Sequence, residues 1–265
     1  MLFRSEKLKI VGWWIPPRER TGKCAVALHG YGDAKVGAIA WAPTFHSLGY
    51  GVLVIDLRAH GESSGVYSTA GFWERHDVGD VINQFRAARP GETQSVILFG
   101  VSLGAAVAAA TAAQRDDIDA VILESPYADY RSAITAHAEI LGQPAGFLQE
   151  IGVRLAEWMS SADFDAVRPV DVIPKISCPL MIVQAGDDPF VPPADAKRIE
   201  EAAASRPAEL QTVYWHVPGA PHVQALSADA TASHAKLKTF LDAPVGATLV
   251  AESTDVISSS PASPR

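Results

Sequence analysis

Three residue types that together cleave acyl bonds occur in this chain in a telling order. Ser102 stands in Gly100-Val101-Ser102-Leu103-Gly104. A serine hydroxyl is a weak nucleophile until a neighbouring base takes its proton. The base is normally a histidine whose ring is oriented by a carboxylate. Downstream of Ser102 come an acidic pair, Asp187-Asp188, and a histidine, His222. The chain has eight histidines. His29 and His60 lie upstream of the serine, in loops. His46, His76, His137 and His234 fall in helical stretches, facing solvent or capping. His216 lies in or beside the last strand. His222 alone sits in the loop after that strand, so it is the choice for the base, with His216 as reserve. Spacing alone leaves the acid open between Asp187 and Asp188, one orienting the histidine and the other binding backbone amides of the turn. Asp163, Asp165 and Asp171 also follow the serine, but not at a strand end.

The developing oxyanion needs fixed donors, and backbone amides suit. One donor expected here is the amide of Leu103, directly after the serine. The other is the amide of Tyr31, in the His29-Gly30-Tyr31-Gly32 loop, where glycines on both sides let the backbone approach a substrate.

These groups need elements to hold them. Val96–Phe99 is a short apolar run of the kind a buried parallel strand shows. Ala105–Ala113 is a run of good helix formers with small side chains. Strand, tight turn and helix pass close together at Ser102, hence the flanking glycines. The uncharged run from Val96 to Ala113 could be read as a membrane span, but Gly100, Ser102 and Gly104 punctuate it and a βα unit accounts for all of it. Further strands are expected at Leu8–Ile15 (an edge strand stopped by Pro16-Pro17), Cys24–Leu28, Gly51–Asp56, Ala120–Glu124, Pro179–Val183 and from Thr212. Helices are expected at about Val36–Leu48, Glu74–Ala88, Gly146–Ser160, Ala194–Ala204, and from near His222 to about Leu241. Strands alternating with helices predict an α/β fold, a mostly parallel sheet with helices on both faces, and such sheets gather functional groups at their strands' carboxyl ends. Residues from about 127 to 175 carry no strand signal. They are expected to form a small helical cap inserted into a domain spanning 1–242, with Phe147 and Trp158 in the cap's core. Residues 243–265, rich in Ser, Pro, Ala and Thr, read as a disordered tail.

Composition sets limits. The chain has 265 residues, is 48% hydrophobic and carries a net charge of -8. That length suits one α/β domain, and the acidic balance argues against a nucleic-acid partner. Cys24 and Cys178 each precede a strand and read as buried thiols rather than a disulfide. There is no metal-spaced His/Cys cluster, and no cofactor is expected. The N-terminus lacks the apolar core of a signal peptide. A cytoplasmic chain is therefore expected, or a membrane-associated one if an N-terminal segment precedes it. Oligomeric state is not readable.

The combined motifs resemble the α/β-hydrolase superfamily. They are Leu28-His29-Gly30-Tyr31-Gly32, Asp56-Leu57-Arg58-Ala59-His60-Gly61-Glu62-Ser63, Gly100–Gly104, Gly186-Asp187-Asp188-Pro189-Phe190-Val191-Pro192 and Pro221-His222-Val223, in family order over about residues 8–241. The resemblance implies the α/β-hydrolase fold with a nucleophile elbow at Ser102 and a Ser-Asp-His triad. It also implies Asp188 as the acid, because the family's aspartate commonly stands four residues before the proline of an Asp-x-x-Val-Pro pattern. It gives the Asp56–Ser63 loop a structural role. One departure is Pro221, directly before the histidine, where the family often has glycine. The expected reaction is hydrolysis of carboxylic esters of a small acyl substrate through an acyl-enzyme. Peptidase, thioesterase, monoacylglycerol lipase and perhydrolase chemistry would use the same residues. Serine at the elbow argues against epoxide hydrolases and haloalkane dehalogenases, which carry aspartate there. A non-catalytic binding protein on the same fold is the alternative from another class.

Overall fold

The computed structural model describes residues 1–5, 8–143 and 146–243. The expected tail from 244 onward lies outside them.

The strands are β1 (Leu2–Ser5), β2 (Leu8–Ile15), β3 (Lys23–Leu28), β4 (Gly51–Ile55), β5 (Ser95–Val101), β6 (Ala120–Glu124), β7 (Leu180–Ala185) and β8 (Thr212–Val217). They form one sheet in the order β1-β2-β4-β3-β5-β6-β7-β8. β1 and β4 both run antiparallel to β2, and every other neighbour pair is parallel. The central strands are apolar runs buried on both faces, as parallel strands covered by helices must be. One layer of core contains Leu28, Leu98, Val107 and Phe85. The other contains Phe45, Phe99, Trp215 and Phe240.

The helices are α1 (Lys35–Ala38), α2 (Ala42–Ser47), α3 (Glu74–Ala88), α4 (Leu103–Ala112), α5 (Tyr130–Ile140), α6 (Phe147–Ser160), α7 (Pro169–Val172), α8 (Pro193–Ala204), α9 (Ala225–Ala228) and α10 (Ala230–Asp242). α5, α6 and α7 all fall between β6 and β7.

The fold differs from the expected elements in four places. β2 is not the edge, because Leu2–Ser5 pairs outside it, Phe3 opposite Ile10. That short strand is held by Phe3, whose ring meets Phe85 edge-on at 6.4 Å. The helix expected over Val36–Leu48 is broken into α1, a tight turn at Ile39–Trp41, and α2. Pro43, in the first turn of α2, has no N–H to continue a longer helix. The last helix does not start at His222. The chain stays irregular there, makes the single turn α9, and begins α10 at Asp229, whose side chain caps it through the Thr231 and Ala232 amides. Finally, Phe147 and Trp158 are not core residues. They are 79% and 78% exposed, because α6 turns its opposite face inward.

Candidate active site

Ser102 sits between the end of β5 and the start of α4 with φ 52° and ψ -114°, a conformation a non-glycine residue adopts only under strain. The glycines explain why the turn can be so sharp. A Cβ on Gly100 would lie 2.1 Å from the Gly104 carbonyl oxygen, and one on Gly104 would lie 2.3 Å from the Leu28 oxygen. Strand, turn and helix are thus in backbone contact, and α4 is pressed against the end of β3.

His222 lies across from the serine. Its Nε2 is 3.0 Å from Ser102 Oγ, and its Nδ1 is 2.7 Å from Asp188 Oδ2. A carboxylate can only accept, so Nδ1 carries the proton and Nε2 is left to accept from the serine hydroxyl. Asp188 is buried, and its other oxygen accepts from the amides of Phe190 at 2.9 Å and Val191 at 3.2 Å. One residue therefore performs both tasks that the sequence divided between two aspartates. Asp187 is exposed and contributes only its backbone, donating its amide to the Ala220 carbonyl. His216 is on β8 and exposed.

The expected oxyanion donors lie at the same place. Leu103 opens α4, so its amide is one of those that an α-helix leaves without an internal partner. A Cβ on Gly30 would lie 3.6 Å from Ser102 Cβ, so the backbone leading to Tyr31 runs alongside the nucleophile. Gly30, Tyr31, Ser102, Leu103 and His222 share the wall of a cavity of about 410 Å³. Its other walls are mostly apolar and aromatic, with Tyr127, Tyr130 and Ile134 on one side and Phe190, 4.9 Å from the His222 ring, on another. A second cavity of about 430 Å³ shares Asp33, Val101 and Val223 with it.

Sequence reasoning gave His29 no positioning role and the Asp56–Ser63 loop only a general structural one. His29 is fully buried. Its Nε2 accepts from the Leu57 amide at 3.0 Å, and its Nδ1 lies 2.7 Å from the Gly30 oxygen. Burial lowers its pKa, so the ring is neutral and clamps the Tyr31 loop to the loop after β4. In that second loop Asp56 accepts from Lys35 Nζ at 2.6 Å and from the Lys35 and Glu62 amides. Burial opposes its ionisation, but the lysine and the amides outweigh it and hold its pKa below the ordinary value. Arg58 makes a two-pronged bond to Asp77 at 2.6 and 2.8 Å. The structural role expected of this loop is therefore met by named bonds.

The end of β6 ties serine and histidine together. The Ser102 amide donates to the Glu124 carbonyl at 2.9 Å. The Glu124 carboxylate accepts from the Leu226 amide at 3.0 Å and from Ala225, and Ser125 Oγ accepts from the Val223 amide at 3.2 Å. Val223 has φ 51°, a strained value for a β-branched residue, so the reversal that follows Pro221-His222 is held by these bonds. Glu124 is fully buried, and burial pushes its pKa up to about 7.

Both cysteines are free and buried, which pushes their thiols to about 12 for Cys24 and about 11 for Cys178. Glu157, Asp163 and Asp165 have carboxylate oxygens within 4.8 Å of one another. Arg131 ion-pairs with Glu157 and Asp165, so a guanidinium already balances that charge. No helix among the described residues is long and apolar enough to cross a membrane.

An eight-stranded, mostly parallel sheet with a serine on a strained strand-to-helix turn defines an α/β hydrolase. The chain belongs to the family described as serine aminopeptidase, S33, whose sequence model matches residues 20–168. It is similar to the uncharacterized protein YqkD of Bacillus subtilis, 26% identical over 208 residues, which cover 72% of this chain and 63% of that one. It is also similar to the lysophosphatidylserine lipase ABHD12 of Xenopus tropicalis, 28% identical over 232 residues, covering 82% of this chain and 57% of that one. The chain thus spans less than two thirds of these relatives' length. Among solved structures, the Pyrococcus furiosus esterase Pf2001 superposes with a TM-score of 0.73 at 22% identity, covering 91% of this chain and 90% of that one.

Proposed function

We propose that the chain is a serine hydrolase of carboxylic esters. The observation that carries this reading is the continuous hydrogen-bonded line from Ser102 Oγ through the His222 ring to Asp188. Ser102 Oγ attacks the ester carbonyl carbon as His222 Nε2 takes the hydroxyl proton. The imidazolium is stabilised by Asp188, which is itself held in place by two amides. The oxyanion is held by the amides of Leu103 and Tyr31. The tetrahedral intermediate collapses, the C–O bond to the alcohol breaks, and the alcohol leaves with the proton from His222. A water then gives its proton to His222 and attacks the acyl carbon; the bond to Ser102 Oγ breaks as His222 returns that proton to Oγ, which releases the acid and restores both residues. The helical stretch over about 127–175 acts as a cap, with α5 forming part of the acyl pocket.

Ester rather than peptide chemistry is supported by the pocket's apolar, aromatic walls. A relative named as a lipase points the same way. The family name raises a second reading, an aminopeptidase, for which Asp33 at the pocket wall would be the partner of a substrate ammonium. The two are separated by assaying p-nitrophenyl esters of graded chain length against aminoacyl p-nitroanilides. Alongside, a fluorophosphonate probe is applied to the wild type and to Ser102→Ala. Labelling confined to the wild type, with ester turnover exceeding anilide turnover, is expected. Labelling of Ser102→Ala, or turnover undiminished in it, would overturn the assignment.

A further inference from the structure

Helix α6 has the sequence Phe-Leu-Gln-Glu-Ile-Gly-Val-Arg-Leu-Ala-Glu-Trp-Met-Ser. Leu148, Ile151, Leu155 and Trp158 recur at spacings of three, four and three, the a and d positions of a coiled-coil seam. In an ordinary surface helix that stripe would face the core. Here it faces solvent. Those four residues are between 47% and 78% exposed, and Phe147 and Met159 flank them, exposed as well.

The orientation is fixed from the other side. Val153, opposite the stripe, is buried. Gln149 donates to Thr135 Oγ1 at 2.8 Å, and Glu150 and Glu157 both pair with Arg131 of α5. Glu157 also accepts from the Phe164 amide, and Trp73 donates its indole N–H to the Ser160 carbonyl at 3.1 Å. Rotating α6 to hide the apolar stripe would break all of these at once. The polar face is the one packed against the protein, and the apolar face is left open by construction.

We propose that a second copy of this chain covers the stripe, the two α6 helices pairing antiparallel across a twofold axis. In that register Leu148 packs on the partner's Trp158, and Ile151 on the partner's Leu155. Gly152 has open space where a Cβ would stand, which allows close approach beside the seam. Covering Phe147 and Trp158 alone hides roughly 300 Å². The whole stripe then approaches the ~800 Å² per partner of a standard interface. Charge separates this occupant from a lipid surface. Membrane-surface helices carry Lys and Arg beside the apolar face to meet headgroups. α6 has one arginine, Arg154, already paired with Glu150 and Glu157, and the chain carries a net charge of -8.

The test is the mass of the full chain in solution by light scattering at micromolar concentration. The wild type is expected at twice the mass of one chain, and Leu155→Glu/Trp158→Glu at the mass of one, with an unchanged circular dichroism spectrum. Leu148→Cys mixed with Trp158→Cys is expected to form an intermolecular disulfide that neither forms as readily alone. A monomeric wild type overturns the proposal, as does a dimer that the double substitution leaves intact. Flotation of a monomeric wild type with phosphatidylcholine vesicles would also overturn it, in favour of lipid.

Discussion

Replacing Glu124 with glutamine changes how stability depends on pH, by an amount the structure sets. The carboxylate is fully buried at the end of β6, with Oε1 bonded to amides of α9 and no partner on Oε2 among the described residues. Burial raises its pKa from the ordinary 4.5 to about 7, against the lowering effect of those amides. Between these two values the folded chain holds the proton and the unfolded chain has released it. The folded state then binds more protons, so stability falls as pH rises through this window and levels off above it. At about 1.4 kcal/mol per pKa unit, the loss between about pH 5 and about pH 8 is about 2–3 kcal/mol. Glu124→Gln keeps an acceptor for the amides but cannot titrate. It carries a fixed cost of about 1–3 kcal/mol for an amide N–H₂ without an acceptor, the same at every pH. Urea unfolding of both proteins across that range gives the comparison. The wild type should lose about 2–3 kcal/mol relative to the variant as pH rises. A difference that stays flat within ~0.5 kcal/mol would refute the account of Glu124 as a buried group protonated below neutrality.

Other substitutions probe the site's frame. Asp188→Asn should lower kcat by roughly 10⁴-fold while KM changes little, since the amide favours the wrong ring tautomer of His222; steady-state ester kinetics reads it. Gly104→Ala places a Cβ 2.3 Å from the Leu28 oxygen, so the elbow must move. A loss of about 1–3 kcal/mol in urea unfolding and reduced fluorophosphonate labelling are expected. His29→Ala removes the clamp between two loops and should cost about 1–3 kcal/mol, with kcat falling more than KM rises if Tyr31 supplies an oxyanion donor. Lys35→Met strands Asp56 without its cation and should cost about 3–5 kcal/mol by thermal or urea unfolding.

The sheet and the elbow were legible because their signals are local. An apolar run, a glycine two residues either side of a serine, and a run of alanines each report on their own neighbourhood. The acid was less so. Asp187 and Asp188 are adjacent and of one type, so spacing left them open and only the family pattern favoured Asp188; the turn at Phe190-Val191 adds that one carboxylate bonds both histidine and backbone. Periodicity also located α6 to within a residue but assigned its face wrongly. Helical spacing marks which residues share a side; it does not say which side is inward. That was decided by Arg131, nineteen residues before Glu150 in sequence, which draws the acidic face toward α5. Glu124 and His29 gave no signal as positioning residues, because what they bind are backbone amides and carbonyls, groups every residue carries.

The two ends of the segment between β6 and β7 are anchored independently of what lies between them. At its start, Glu124 and Ser125 are bonded to the elbow and to the loop bearing His222. At its finish, the buried Arg206 guanidinium donates to the carbonyls of Ile176 and Cys178. Between these stems α5 and α6 also meet the rest of the domain, through the bond from Trp73 to the Ser160 carbonyl and the ion pair of Arg198 with Asp129, while Val172 and Ile173 belong to the main core. The 3.0 Å separation of Ser102 and His222 is thus supported by bonds at the end of β6 that involve neither α5 nor α6. For protein engineering, the same stems mark where α5 and α6 could be exchanged for the corresponding helices of another α/β hydrolase.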